Sequence, residues 1–370
     1  MSFTERIKGM GVVWFSFNVA TSAIVLGGYA LGNAAGIGWL VRFSDHLALL
    51  NTAIFIVIAT LFLLKVVLAW ETVKRMFYHP VQAPFMSVLS ISIMLLSLDW
   101  GVVRGDPSVG FWFFVAGTVL HTLIFAAISY VFFMHTEIEV HTVNPGWYMP
   151  PVGNVLVPYI GGFLREAGYN IPQSLLGIYL GSGVILWIAF ATIWIYRTIF
   201  HHPPHARLLG TLWINLAPPS IVPMAYESMF GLSPRGFHVM ASQLSHVTPL
   251  LAKELSLLYG IVYYTFWGSA GVFLLIVLLI TAGYLARGEV EFAESWWAFV
   301  FPVAAYTIST IHLYLHFPDE HWLLYYAGAL YALAWTFYTV TTIFSLYYAV
   351  MELEGKTVEQ LPEPAKPLAQ

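Results

Sequence analysis

Apolar residues dominate the chain from about residue 10 to residue 351, broken only by short stretches of charge, glycine or proline. The apolar runs are about 20 residues long, which at 1.5 Å per residue is enough to cross the hydrocarbon core of a bilayer. Ten membrane helices are predicted, at 10–31, 46–70, 80–98, 108–134, 146–165, 173–200, 207–230, 250–285, 295–316 and 322–351. Most connections between them are short, so neighbours are expected to pack as antiparallel hairpins. Residues 1–350 read as one transmembrane domain. Residues 351–370, rich in Glu, Pro and Lys, read as a disordered cytoplasmic tail.

The segments alternate in character. The even-numbered ones have no interior proline, and several carry one at or just before their start (Pro107, Pro172, Pro249, Pro318), where the missing N–H costs nothing. The odd-numbered ones are broken by Pro84, by Pro150, Pro151 and Pro158, by Pro218, Pro219 and Pro223, and by Pro302. The first has no proline but carries Ser16, Asn18, Thr21, Ser22, Gly27 and Gly28. Polar residues follow the same division: Ser87 and Ser90, Asn154, Asn215, and Thr307, Ser309 and Thr310. The expected fold is therefore an all-α polytopic membrane protein, with ten transmembrane helices as five helical hairpins around a central pore. Bent, polar odd helices would line the pore and plain even helices would form the shell. The alternative is that these prolines and serines only let helices pack closely.

One stretch of the ninth segment focuses this picture: Trp296-Trp297-Ala298-Phe299-Val300-Phe301-Pro302. The two indoles suit residues anchoring a helix at the membrane interface. A helix-interior proline removes a backbone hydrogen bond and bends the helix. Phe301, held beside such a bend and facing a cavity, would act as a plug.

Composition narrows the class further. Hydrophobic residues make up 59% and charged residues 9%, and the mean hydropathy is +0.76. Soluble domains carry roughly a quarter charged residues. Residues 1–10 are polar and resemble no cleavable leader. Cysteine is absent, so thiolate metal sites and cysteine nucleophiles are excluded. The net charge of -4 gives no reason to expect nucleic acid. Arg6, Lys8, Lys65, Lys74, Arg75, Arg197, Arg207, Arg287, Lys356 and Lys366 fall on the N-terminal side of the membrane. Arg42, Arg104, Arg165, Arg235 and Lys253 fall on the other. The positive-inside bias places both termini in the cytoplasm, and the plasma (inner) membrane is the expected location.

Four motifs recur in order on odd segments: Tyr78-His79-Pro80-Val81, Asn144-Pro145-Gly146-Trp147-Tyr148-Met149-Pro150-Pro151, Leu216-Ala217-Pro218-Pro219 and Trp296 to Pro302. Together they resemble the tellurite-resistance/dicarboxylate transporter family, which includes bacterial tellurite-resistance proteins, fungal malate permeases and plant slow anion channels. The likeness covers roughly residues 11–348. It implies ten helices around a pore, usually in a homotrimer with one pore per subunit, and a phenylalanine on the ninth helix that closes it. By motif position that residue is Phe301. Unlike the bacterial members, this chain has no early proline in its first segment.

No acidic or basic residue is expected at mid-membrane on an odd helix; Glu227 and Arg207 fall near the ends of the seventh. A coupled proton carrier needs a buried titratable group, and a dicarboxylate site would be expected to offer a guanidinium. A neutral pore suits small, weakly held anions, with broken-helix N-termini supplying partial positive charge. The pore-lining candidates are Phe15, Ser16, Asn18, Ser87, Pro150, Asn154, Asn215, Pro218, Ala305, Ile308 and His312, with Phe301 as gate. His312 follows Phe301 by eleven residues, within about 20° of the same helix face and about 16 Å further along. Protonated, it would raise anion occupancy at acid pH; otherwise it is a packing histidine. The partners expected are small inorganic or carboxylate anions and the lipid bilayer. No cofactor, metal or catalytic activity is expected. His121 and His135 have a spacing seen in stacked haem ligands, but no second helix matches it. His201, His202 and His205, with His135, Glu137, Glu139 and His141, offer a loop metal site that is more simply a solvated surface. No nucleotide-binding loop is present. A proton-linked C4-dicarboxylate carrier, a tellurite-resistance exporter and a histidine-dependent membrane metalloenzyme remain alternatives.

Overall fold

The computed structural model describes residues 3–134, 138–232 and 249–353. The assignments made for His135, Glu137, Arg235, Lys356 and Lys366, and for the tail beyond residue 353, lie outside the described residues. Long helices organise the chain: α1 (Val12–Ala34), α2 (Gly38–Leu68), α3 (Ala83–Val103), α4 (Pro107–Met134), α5 (Met149–Glu166), α6 (Gln173–Phe200), α7 (Ala206–Met229), α8 (Pro249–Ala286), α9 (Glu294–His316) and α10 (His321–Leu353). Shorter helices, Phe3–Gly9 and Trp70–Tyr78, precede α1 and α3. Among the described residues no strand is formed.

Nine of these helices are long and apolar enough to cross a membrane. The exception is α5, whose 18 residues include three prolines, Asn154, Arg165 and Glu166. Its low hydropathy has a structural reason: 14 of its residues are buried against protein, so it needs no apolar coat. Large apolar side chains such as Ile56, Leu63, Leu123, Phe133, Ile185 and Leu279 stand exposed on the even helices. A surface of that kind is stable in lipid rather than water.

The two kinds of helix occupy two layers. In the apolar windows of α1, α3, α7 and α9, between 78% and 94% of residues are buried, against 22–28% in the even helices. Each even helix packs on the odd helix before it, giving five hairpins. The inner helices close on themselves: α1 meets α3, α3 meets α5, α5 meets α7, α7 meets α9, and α9 returns to α1.

The inner helices are also irregular at one shared end. Each begins with, or is interrupted by, a 3₁₀ turn: Val12–Trp14, Ala83–Met86, Pro145–Tyr148, Trp213–Leu216 and Glu294–Phe299. These turns touch one another in the same cyclic order as the helices. Pro302 lies in the first α-helical turn of α9, just after the 3₁₀ segment ends at Phe299. This corrects the expected interior kink: the missing N–H falls where few intrahelical partners exist, and the break is a 3₁₀-to-α switch. Pro150, Pro151, Pro218 and Pro219 sit likewise at the first positions of α segments, while Pro158 and Pro223 are truly interior.

Three further boundaries differ from expectation. α2 starts at Gly38, eight residues early. α3 does not end at Leu98 but continues through a π-helical turn, Asp99–Val103. The tail expected from residue 351 yields its first three residues to α10.

Candidate functional site

The four motifs prove to be the joints of the inner ring. His79 accepts hydrogen bonds at Nδ1 from the backbone N–H groups of Val81 and Gln82, shaping the turn into α3. Asn144 does the same for the N–H of Gly146 at 2.9 Å. The Trp147 indole donates to the Pro80 carbonyl at 3.1 Å, tying the start of α5 to that of α3. Gly210 lets the start of α7 lie against the start of α9, since a Cβ there would run into the Ser295 carbonyl.

All five inner helices contribute to one small cavity of about 20 Å³ at this end. It is lined by Ser16 and Val19, Phe85 and Val88, Met149, Ile214, and Trp297, Ala298, Phe301 and Pro302. The lining is apolar apart from Ser16 and carries no charge. Its volume suffices for about one water-sized sphere. A larger surface groove of about 360 Å³ lies between the α3–α4 and α5–α6 turns, but its one charged residue, Asp106, is occupied capping α4 through the N–H groups of Ser108 and Val109.

Starting at the cavity, α9 keeps a thin exposed line. Phe301 (6%), Ala305 (4%), Ile308 (7%) and the His312 side chain (23%) retain accessibility, while their neighbours Val303, Ala304, Thr307, Ser309 and Thr310 have none. Steps of four, three and four residues place these side chains on one helical face. His312 Nδ1 lies 3.1 Å from the Glu227 carboxylate of α7, which is itself 2% exposed. Beyond it, His316 reaches the Tyr259 hydroxyl at 2.9 Å and the His312 carbonyl at 2.9 Å.

The other candidates divide. Ser16 lines the cavity. Phe15 does not: its ring packs on Phe55 and Phe62 of α2, at 6.0 and 5.5 Å, because one residue turns the side chain about 100° round the helix. Asn18 likewise faces α2, donating to Asn51. Pro150 and Asn154 face outward, their oxygens each 3.1 Å from His121 Nε2 of α4, and Asn154 also donates to Ser182 of α6. Asn215 satisfies its own helix by donating to the Leu212 carbonyl. Pro218 is buried in the first turn of its α segment, and the buried Ser87 Oγ has no hydrogen-bond partner among the described residues. Trp297, expected at the lipid interface, is buried and packs edge-on against Phe17 at a ring separation of 4.8 Å.

Buried charge on the odd helices was missed. Asp99 is fully buried and bonded to Ser22 and Asn51, at the middles of α1 and α2. The Asp-Trp-Gly sequence reads as a loop; only the continued α3 backbone carries the carboxyl inside. The haem and loop-metal readings are only partly covered, since His135 and Glu137 lie outside the described residues. Both ring nitrogens of His121 are hydrogen-bonded within the helix packing. His141 pairs with Glu139 at an exposed loop, and among the described residues no three metal-binding side chains come together.

A closed ring of broken inner helices, sheathed by apolar outer ones, defines a polytopic transport protein. The family model described as voltage-dependent anion channel matches residues 9–346, and the chain belongs to that family. An uncharacterized transporter of Methanocaldococcus jannaschii is 28% identical over 342 residues, covering 91% of this chain and 94% of the relative. A sulfite efflux pump of Arthroderma otae is 24% identical, covering 81% of this chain and 80% of its own length. A malic acid transport protein of Schizosaccharomyces pombe is 21% identical, covering 84% and 72%. The protein is an anion channel or transporter of the membrane, in the same family that its motifs resemble.

Proposed function

We propose that small anions pass along the axis of the inner ring, over the line Phe301–Ala305–Ile308–His312, and that the Phe301 ring gates the passage. The carrying observation is the uncharged cavity to which all five inner helices contribute and which Phe301 helps to line. The helix starts around it supply N–H groups and the positive ends of helix dipoles, which favour an anion without a fixed cation. Weak attraction of this kind permits release as readily as capture, and so favours channel-like flux over tightly coupled transport. In this reading the chain crosses ten times, with α5 as an enclosed span, so that both termini share one side; the Lys/Arg bias favours the cytoplasm, in a plasma (inner) membrane that holds the protein as a homotrimer, each subunit with its own passage. Residues 1–350 form the one transport domain, no part of it catalytic, and the remainder a cytoplasmic tail.

A second reading has a specific observation behind it. The Glu227–His312 pair is a titratable site on two inner helices, as a proton-linked dicarboxylate carrier would need. Reconstitution into liposomes separates the two. Channel-like anion passage predicts that chloride and nitrate move down their gradients with a reversal potential indifferent to a pH gradient. Malate uptake driven by a pH gradient, with chloride excluded, would establish the carrier instead.

A further inference from the structure

Asp99 stands apart from the passage, behind α1. Its Oδ2 accepts hydrogen bonds from Ser22 Oγ at 2.8 Å and from Asn51 Nδ2 at 3.0 Å. Asn51 Nδ2 also donates to Ser22 Oγ, and Asn51 Oδ1 accepts from Asn18 Nδ2 at 3.1 Å. All four side chains are fully buried. Two oxygens of this cluster, Asp99 Oδ1 and Asn18 Oδ1, meet no donor among the described residues.

Among the described residues no cation balances the carboxyl. Arg104, five residues on, pairs with Asp45 of α2 at 2.9 Å. Arg42 and His46 of α2 lie exposed on its outer face, and Lys65, towards its other end, donates to the Met10 carbonyl. On α4, Asp106 caps its own helix and His121 is held by Ser90, Pro150 and Asn154. α1 offers only Tyr29 as a titratable group. An ionised carboxylate enclosed among three helices without a counter-charge is strongly disfavoured, and such groups are neutralised.

We infer that Asp99 is a proton-binding site built by α1, α2 and α3, with Oδ1 as the proton's position. Binding forms one O–H bond on the carboxylate and breaks one in the hydronium ion that delivers the proton, leaving water; release is the reverse, with no change of oxidation state. A sodium ion is the other single charge that could neutralise it, but sodium takes about six oxygens, as hard cations do. The cluster has two oxygens open, whereas a proton needs neither a cavity nor further ligands. The π-helical turn that begins at Asp99 is a second mark of the site, since such turns commonly sit where a helix serves a function. Releasing the proton requires α1 to part from α3. α1 also presents Ser16 and Val19 to the central cavity, so proton occupancy is tied to the position of a passage-lining helix.

Infrared difference spectroscopy of the full-length protein in lipid tests the site without relying on anion flux. The expected result is a protonated-carboxyl C=O band that is lost in Asp99→Asn. In Ser22→Ala, which keeps the carboxyl but removes a donor, the same band moves to higher frequency. Thermal unfolding adds a second readout. A group that holds its proton when folded loses stability as pH rises, so the wild-type melting temperature falls towards alkaline pH and that slope is lost in Asp99→Asn. A band that survives in Asp99→Asn and is unmoved in Ser22→Ala overturns the assignment. So does its absence from the wild type together with stabilisation by sodium at constant ionic strength. Both readouts stand whichever anion, or none, is transported.

Discussion

Replacing Phe301 by alanine distinguishes a gate from a packing residue, because the two roles move flux in opposite directions. The ring is 6% exposed and borders a cavity of about 20 Å³. Fully burying a phenylalanine side chain is worth about 1.5–3 kcal/mol. If the ring must leave its seat for an anion to pass, that sum is part of the barrier. Each ~1.4 kcal/mol of barrier is tenfold in rate, so Phe301→Ala should raise anion flux roughly ten- to a hundredfold. The space vacated admits several waters of about 30 Å³ each, giving the anion a partly hydrated path. The cost in stability should fall at or below the low end of the about 3–5 kcal/mol typical of core Phe→Ala changes, because the ring already faces a void. Nitrate efflux from liposomes, beside thermal unfolding in detergent, measures both. Phe299→Ala is the control: that ring stacks on Phe337 at 4.9 Å and meets Trp213 edge-on at 5.6 Å, away from the cavity. Stability lost without any gain in flux, as expected of Phe299→Ala, would refute the gate.

Other substitutions probe the rest of the inner ring. Protonated His312 balances the Glu227 carboxylate, whereas neutral His312 leaves a negative charge beside the path. Nitrate flux should therefore fall as rising pH removes the His312 proton, and His312→Gln should abolish that dependence; a pH profile identical to wild type counts against a place on the pathway. Gly153→Ala would drive a methyl into the His121 ring. Overpacking of this kind costs about 1–3 kcal/mol, so a clear fall in melting temperature is expected, and an unchanged one would mean that α4 and α5 are not locked through that histidine.

The order of helices, their division into two kinds and the line of descent to an anion-transport family were legible in the sequence. They rest on local features: run length, proline position and short motifs whose residues shape their own turns, as His79 and Asn144 do. Phe301, Ala305, Ile308 and His312 could be placed on one face because helical periodicity alone relates them. Which face of the other inner helices turns to the axis was decided only by packing. Phe15 and Ser16 are adjacent, yet one lies against α2 and the other lines the cavity. Asn18, Pro150 and Asn154 look like pore polarity but satisfy outer helices, since a buried amide goes where a partner waits. Asp99 shows the limit most clearly. Its sequence neighbours suggest a loop, and three helices brought together from distant parts of the chain make it a buried acid at the level of the middles of α1 and α2.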